Sequence, residues 1–261
     1  MRVVPVRGPM IVMAAPAAPG ILLTSRPLDE YCGLFGLTRA ALAAVRGPVL
    51  DCPGGAAGLT AEARALGCHV IAADPAYAAP LPAVTARALA GRDAMAGAMA
   101  GAMRAAPHLY PAPRDLPPDR YLRSWDRARR LFAADSAAHP EDYVAAALPS
   151  LPFADHTFAL TLSGYLLLAY PGQFGPRHQL AGLLELARVT APGGEARIYP
   201  LHDGDGRRCP HLGDLRRELG RHRVSSEIRA FPRPGDGRTR RILVLTHARS
   251  RIHRPAGVPS R

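Results

Sequence analysis

The chain contains no lysine; all 33 of its basic residues are arginine. That absence removes the phosphate-binding P-loop, whose GK[ST] ending needs a lysine to reach the terminal phosphates. Cysteine is sparse. Cys32, Cys52, Cys68 and Cys209 stand far apart, with no CxxC pair and no Cys/His cluster. This spacing argues against a zinc site and against a disulfide framework, and fits free thiols in a reducing cytoplasm. Long apolar runs are missing too: no stretch reaches the roughly 18 residues that a membrane span needs. The opening MRVVPVRGPMIVMAAPAAPG lacks the long, proline-free apolar centre of a secretory signal. Residues 1–25 therefore read as a loose or disordered arm.

What is abundant is Ala, Gly and Pro, with 25 Gly and 27 Pro. Together with arginine in place of lysine, this reads as GC-rich codon bias, so part of the net charge of +12 is genomic rather than functional. Its distribution is uneven nonetheless. From Leu201 to Arg261 there are 15 Arg against 6 acidic residues, a net of +9. Such a basic C-terminal third favours polyanionic partners, but no basic motif interleaved with aromatics accompanies it. The length of 261 residues suits one large domain, or one domain with an inserted lobe.

Along the chain, strands and helices alternate. Arg26–Val45 has helical spacing at Tyr31, Leu34, Phe35, Leu42 and Val45, closed by Gly47 and Pro48. Val49–Asp51 reads as a first strand, followed by a Gly-rich turn, a helix over Leu59–Leu66 capped at Gly67, and a second strand Val70–Ala73. Residues 78–140 break the pattern: Ala-rich, then Pro-rich (PHLYPAPRDLPPDR), then charged and helical (RYLRSWDRARRLFAAD). They read as an insertion, either a helical lid over a ligand cleft or a floppy connector, with Tyr121, Trp125 and Phe132 as packing residues rather than a substrate cage. Strands resume at Asp142–Ala147 and Ala159–Ser163. The amphipathic helix Arg177–Val189, the turn Ala191–Gly194, strand Ala196–Pro200 and a basic helix Leu212–Leu219 follow. Ser226–Phe231 and Arg241–Thr246 form a terminal hairpin with Gly235, Asp236 and Gly237 in its loop, and residues 249–261 a flexible basic tail. Alternation implies an α/β parallel sheet with right-handed crossovers, and the hairpin implies that the last strand enters antiparallel.

Asp51 and Asp74 each stand where a strand stops, which is where open α/β sheets bind ligands. Gly54, Gly55 and Gly58 allow close backbone approach, and the helix N-terminus beyond them offers N–H groups to a phosphate or a carboxylate. The dinucleotide fingerprint GxGxxG is absent, with Pro53 in its first glycine position, so a nicotinamide-dependent oxidoreductase fares worst of the enzyme readings. Asp74, 23 residues after Asp51, is placed to accept from both hydroxyls of a ribose; an ordinary strand-end cap is the alternative.

Three stretches in order, VLDCPGGAAGLTAEARALGCHVIAADPAY, LPFADHTFALTLS and LLELARVTAPGGEARIYPL, resemble the motifs of class I S-adenosylmethionine-dependent methyltransferases. HPEDYVAAALPSLPF, from His139 to Phe153, is similar to a stretch of a little-described bacterial branch of that family. The resemblance spans roughly Tyr31 to His247, leaving residues 78–140 unmatched. It implies a Rossmann-like seven-stranded, mostly parallel sheet in the order 3-2-1-4-5-7-6 with strand 7 antiparallel, helices on both faces, a methyltransferase-like domain over residues 26–248, and S-adenosyl-L-methionine as cofactor. By the same resemblance, Asp51, Pro53, Gly54 and Gly55 would hold the methionine part. Asp74 would hold the ribose, with Pro75 or Tyr77 beside the adenine and Ala147 and Leu148 along its edge. Ser163, Gly164 and Tyr165 would face the methyl group, and Tyr31 would close the site. Departures are the missing acid near Ala147, the missing Asp in Phe158-Ala159-Leu160, and a glycine loop reduced to Pro53-Gly54-Gly55-Ala56-Ala57.

Catalysis is barely written in the sequence. Methyl transfer requires in-line alignment, so positioning supplies much of the rate, and a base helps only an acceptor that arrives protonated. Candidates for that base are Tyr165 and His202, with His178 behind them. Asp203 and Asp205, two acids without further ligands, read as a turn rather than a metal site. The expected function is transfer of a methyl group to a small-molecule acceptor by a cytoplasmic bacterial protein, with no metal and no membrane. The alternative is a non-catalytic methyltransferase-fold protein that binds a partner or nucleic acid through its Arg-rich C-terminal third.

Overall fold

Small and β-branched residues buried on both faces make the centre of the sheet. In the computed structural model, which describes residues 21–107, 118–233 and 237–247, β1 (Val49–Asp51) and β2 (Val70–Ala73) are buried at every position, as parallel strands covered on both sides must be. They are joined by β3 (Tyr143–Val144), β4 (Phe158–Gly164), β5 (Thr190–Tyr199), β6 (Val224–Pro232) and β7 (Thr239–His247). The sheet has seven strands in the order β3-β2-β1-β4-β5-β7-β6. Strands β1 to β5 pair in parallel, and β7 runs antiparallel to both β5 and β6. The chain order reverses direction between β1 and β4, which makes their C-terminal ends a topological switch point.

The period-2 alternation of side chains divides the core. Val49, Val70, Leu160, Leu162, Ile242 and Val244 face one way, under α1 (Leu28–Phe35), α2 (Arg39–Ala43) and α3 (Leu59–Arg64). Leu50, Ile71, Ile198, Leu243 and Leu245 face the other, under α7 (Pro176–Val189) and α8 (Leu212–Arg221). The insertion forms α4 (Leu81–Ala90), α5 (Arg92–Ala105) and α6 (Pro118–Ala138). Val84, Ala88 and Phe132 of α4 and α6 pack on Ala72, Tyr77 and Tyr143 at the β2–β3 edge. Polar ties reinforce this contact. Asp135 accepts from Arg64 Nε (3.0 Å) and from the Tyr143 hydroxyl (2.8 Å), and Arg92 Nε pairs with Asp126 (3.1 Å), joining α5 to α6.

Several boundaries differ from those the sequence suggests. The expected single helix over 26–45 is two, broken where Gly36 takes φ +63° and Thr38 caps α2 by accepting from the Ala41 N–H at 3.0 Å. The expected strand Asp142–Ala147 shrinks to Tyr143–Val144, because Pro140–Asp142 forms a 3-10 turn and Ala147 folds back to bridge Ser150. The expected turn Ala191–Gly194 lies inside β5 as an irregularity opposite Phe158–Leu160; a Cβ on Gly194 would fall 2.5 Å from the Ala159 carbonyl oxygen. The arm 1–25 is not loose throughout. Ser25 is fully buried, and residues 21–24 lie against the glycine loop. Residues 1–20, the tail 249–261 and the loop residues Gly235 and Asp236 fall outside the described residues.

Candidate functional site

The loop after β1 is held entirely by its own chain. Asp74 ends β2 in extended backbone (φ −155°, ψ 138°) and caps the following 3-10 turn, its Oδ1 accepting from the Ala76 N–H at 2.8 Å. Its Oδ2 accepts from the Gly55 N–H at 2.9 Å. The Gly54 N–H donates to the Ala73 carbonyl, Ala56 to Thr24 (2.8 Å), Ala57 to Gly54, and Gly58 to Arg26 (3.0 Å). Every amide from 54 to 58 thus has a partner. Glycine is required here by close approach: a Cβ on Gly54 would sit 2.6 Å from the Tyr77 hydroxyl oxygen, and one on Gly55 2.7 Å from the Thr24 carbonyl oxygen. Tyr77 completes the clamp by donating to the Gly55 carbonyl at 2.6 Å.

Below the loop, Asp51 is 1% exposed. Its Oδ2 accepts from the Tyr31 hydroxyl at 2.7 Å, while its Oδ1 has no partner. Burial pushes the Asp51 carboxyl up to about 8; the Tyr31 hydrogen bond opposes this and the Asp74 charge adds to it. Asp74 is also raised, by burial, against the pull of the Ala76 and Gly55 N–H groups.

Two cavities open at the switch point. The first, about 210 Å³, is bounded by Ile21–Thr24, Pro53, Gly55, Asp74, Pro75, Arg87, Ala146–Leu148, Gly164–Leu166 and His178. The second, about 510 Å³, lies between the insertion and the loops after β4 and β5. Met95, Ala98, Met99 and Ala102 of α5 form one wall, Tyr121 and Trp125 of α6 a second, and Tyr170 and His202 a third. Leu22, Thr24 and Tyr165 border both, so the two spaces meet beside the Tyr165 ring. Tyr165 holds φ +53°, a left-handed backbone that bulky residues rarely adopt and that clusters at functional sites. The Arg26 guanidinium lies 4.0 Å from the centre of its ring, a cation–π contact.

Glu30 organises the aromatic wall. Its Oε1 accepts from Arg26 Nε (2.9 Å) and from the Tyr121 hydroxyl (2.7 Å), and its Oε2 from Trp125 Nε1 (2.7 Å). One carboxylate on α1 therefore fixes three side chains that border the larger cavity.

The strand order with an antiparallel β7 decides the architecture. The chain has the class I S-adenosylmethionine-dependent methyltransferase fold. Solved structures similar to it include the 1,6-didemethyltoxoflavin-N1-methyltransferase of Burkholderia thailandensis (18% identity, 80% of this chain and 76% of that chain, TM-score 0.43). The CcbJ methyltransferase of Streptomyces caelestis (14%, 90% and 92%, TM-score 0.43) is another. A third is a TehB-like SAM-dependent methyltransferase of Corynebacterium glutamicum (16%, 77% and 80%, TM-score 0.42). No protein-family model matches the sequence, and no curated protein does.

Within this methyltransferase fold, the residues singled out from sequence divide into two groups. Pro53, Gly55, Asp74, Pro75, Ala147, Leu148, Gly164 and Tyr165 border the first cavity, and His202 borders the second. Asp51, Gly54, Tyr77, Ser163 and Tyr31 lie behind that surface. Tyr77 sits between Phe132 and Tyr143 rather than along the cavity, and Ser163 is interior to β4, 2% exposed. His178 borders the first cavity, and its Nε2 is buried without a partner. His202 Nδ1 lies 2.8 Å from the Asp203 carbonyl oxygen. The Asp203 carboxylate accepts from the Asp205 and Arg207 N–H groups, closing a turn. Among the described residues no group of three His, Cys, Asp or Glu could hold a metal ion, and no helix is long and apolar enough to cross a membrane. Sequence reading missed Thr24, Arg26, Glu30 and Arg87. None of them belongs to a spaced motif, so no sequence signal marked them.

The adenosyl half of the cofactor fits these residues. Each Asp74 oxygen holds one N–H and keeps a lone pair, and Pro75, Ala147 and Leu148 supply an apolar edge. On the methionine side the loop amides are already engaged by Thr24 and Arg26.

Proposed function

We propose that this protein is an S-adenosylmethionine-dependent methyltransferase acting on a small, largely apolar acceptor. The observation that carries the reading is the meeting of two cavities beside Tyr165 at the switch point, one containing a strand-end carboxylate and the other walled by aromatic and small side chains. In this reading Asp74 holds the ribose hydroxyls, and Ala147 and Leu148 border the adenine. Asp51 and Tyr31 support the loop from beneath. The bound cofactor supplies an electrophilic methyl group on a sulfonium. The chain's own part is to exclude water and to align the acceptor across Tyr165, and alignment of this kind supplies much of the rate of a displacement. In this reading Tyr165 and His202 are the candidates to take a proton from an acceptor that arrives protonated. The four free thiols suit a cytoplasmic setting.

The alternative, a polyanion-binding module, loses ground because many C-terminal arginines are paired: Arg207 with Asp205, Arg217 with Asp214, Arg221 with Glu218 and Arg229 with Glu195. Calorimetric titration of S-adenosylhomocysteine tests the proposal. Binding to the full chain is expected to weaken at least about tenfold in Asp74→Ala, since two charge-assisted hydrogen bonds are lost. Absence of binding, or equal binding by the variant, refutes it.

A further inference from the structure

A third cavity, about 300 Å³, lies at the far end of β5 and the start of β7, outside the two spaces just described. Its size is at the lower end of small-molecule sites. Five arginines border it (Arg208, Arg233, Arg238, Arg240 and Arg241), and among the described residues that line it none is Asp or Glu. Like charges brought together repel unless an anion compensates them. Nearby, Arg207, Arg217, Arg221 and Arg229 pair with carboxylates, whereas Arg208, Arg240 and Arg241 make no ion pair with the described residues.

The fold builds this convergence from three elements. Arg208 stands on the loop after β5, which is pinned where the Cys209 N–H donates to the Leu201 carbonyl at 3.1 Å. The Arg233 N–H donates to the Arg238 carbonyl at 2.7 Å, closing the neck of the β6–β7 hairpin. Arg240 is held by neutral groups: Nη1 donates to the Gly33 carbonyl at 2.7 Å, and the guanidinium lies 5.0 Å from the centre of the Tyr199 ring. Such contacts fix position while leaving the charge in place. Arg233 and Arg238 make further contacts within the chain, so the ligand-facing charge is assigned to Arg208, Arg240 and Arg241. Leu201, Leu212 and Ile228 give the cavity an apolar floor.

We propose that this cavity binds a small molecule carrying a phosphate or pyrophosphate group, at a site separate from the methyltransferase-type cleft and independent of whether that cleft binds its cofactor. Planar guanidinium groups approaching from several directions match the several oxygens of a phosphate. An extended nucleic-acid backbone is the poorer occupant, because Arg207, Arg217, Arg221 and Arg229 outside the cavity are already held by carboxylates. His202 borders both this cavity and the larger chamber, so an occupant contacts a loop that also walls the chamber.

The test is calorimetric titration of inorganic pyrophosphate into the full chain at low salt. One-to-one binding is expected, about tenfold weaker in Arg208→Gln or Arg241→Gln and about a hundredfold weaker in the double variant, each losing a charge-assisted contact. Arg208 and Arg241 are exposed, so the variants retain the fold, as circular dichroism would verify. Arg130→Gln, an exposed arginine on α6, and Asp74→Ala should bind as the parent does. No binding of pyrophosphate, or equal binding by the double variant, overturns the proposal. So does tighter binding of a short single-stranded oligonucleotide with the steep salt dependence of several phosphate contacts.

Discussion

Replacing Glu30 by Ala removes the one carboxylate that joins α1 to the aromatic wall of α6. Its side chain is 13% exposed and that of its partner Arg26 is 10% exposed, so water reaches neither freely. Three donors lose their acceptor together: Arg26 Nε, the Tyr121 hydroxyl and Trp125 Nε1. Removing one partner of a buried ion pair costs about 3–5 kcal/mol. Each neutral donor left without an acceptor adds about 1–3 kcal/mol unless local opening admits water. Because opening relieves all three at once, the losses do not add, and a total of about 3–5 kcal/mol is expected. Glu30→Gln keeps the shape and one acceptor oxygen but removes the charge, for about 1–3 kcal/mol. Trp125 is the only tryptophan of the chain, so its emission in a urea titration reports on this hub, and circular dichroism reports on the whole. If α6 undocks before the sheet melts, the emission transition of Glu30→Ala precedes the dichroism transition. An unshifted emission maximum with stability within about 0.5 kcal/mol of the parent, the range of ordinary surface substitutions, would refute the assignment of Glu30 as the organising group.

Gly54→Ala places a methyl 2.6 Å from the Tyr77 hydroxyl oxygen and 2.8 Å from Ala72 Cβ, and should cost about 1–3 kcal/mol. Gly97→Ala, in α5 with nothing near its Cβ, should instead gain about 0.5–1 kcal/mol; thermal melts compare the two. Burial pushes the Asp51 carboxyl from its ordinary value of about 3.8, which it keeps in the unfolded chain, up to about 8 in the fold. The native state therefore holds more protons between those values, and stability falls as pH rises through them and levels off above. Asp51→Asn, which keeps an acceptor for Tyr31, should flatten that slope and raise the urea midpoint at pH 8 while leaving it unchanged near pH 4. Deleting residues 1–25 removes the Thr24 carbonyl from the Ala56 amide. Hydrogen exchange at Ala56 should then accelerate while Leu50 and Ile71, within the sheet, keep their protection.

What was legible in the sequence was whatever repeats with a period or punctuates it. β1 and β2 were readable residue for residue, because short runs of fully buried residues end on an acid. α7 was readable from its apolar stripe, α8 as a basic helical run, and the terminal hairpin from the Gly-Asp-Gly turn between its strands. The strand at 142–147 was not, because Tyr143-Val144-Ala145-Ala146-Ala147 has strand-like composition but only two of its residues find a neighbour in β2. Ala146 and Ala147 border the first cavity instead. The break at Gly36 was hidden because the apolar spacing continues in phase across it. At the site, Asp74 and the glycine loop carried a signal because strand ends and tight turns constrain residue type. Thr24, Arg26 and Glu30 carried none. Their roles arise from contacts between an arm, a helix and an insertion that only the folded chain brings together.

The saturation of the glycine loop bears on how a cofactor would gain affinity. A free loop amide offered to a carboxylate contributes a new hydrogen bond; an amide already bonded to the Thr24 carbonyl only exchanges one acceptor for another, and such exchange contributes little net free energy. The charged acceptor improves the bond, but the displaced carbonyl must find water. Asp74 stands differently: it borders the cavity, and each of its oxygens holds one N–H and retains a lone pair with which to accept a hydroxyl without giving up that bond. Under the proposed function, the recognition energy of this site would thus be weighted toward the adenosyl end. Under the same proposal, the arm at residues 21–24 would set a threshold for the amino-acid end, because a methionine carboxylate would have to displace the Thr24 carbonyl from the Ala56 amide.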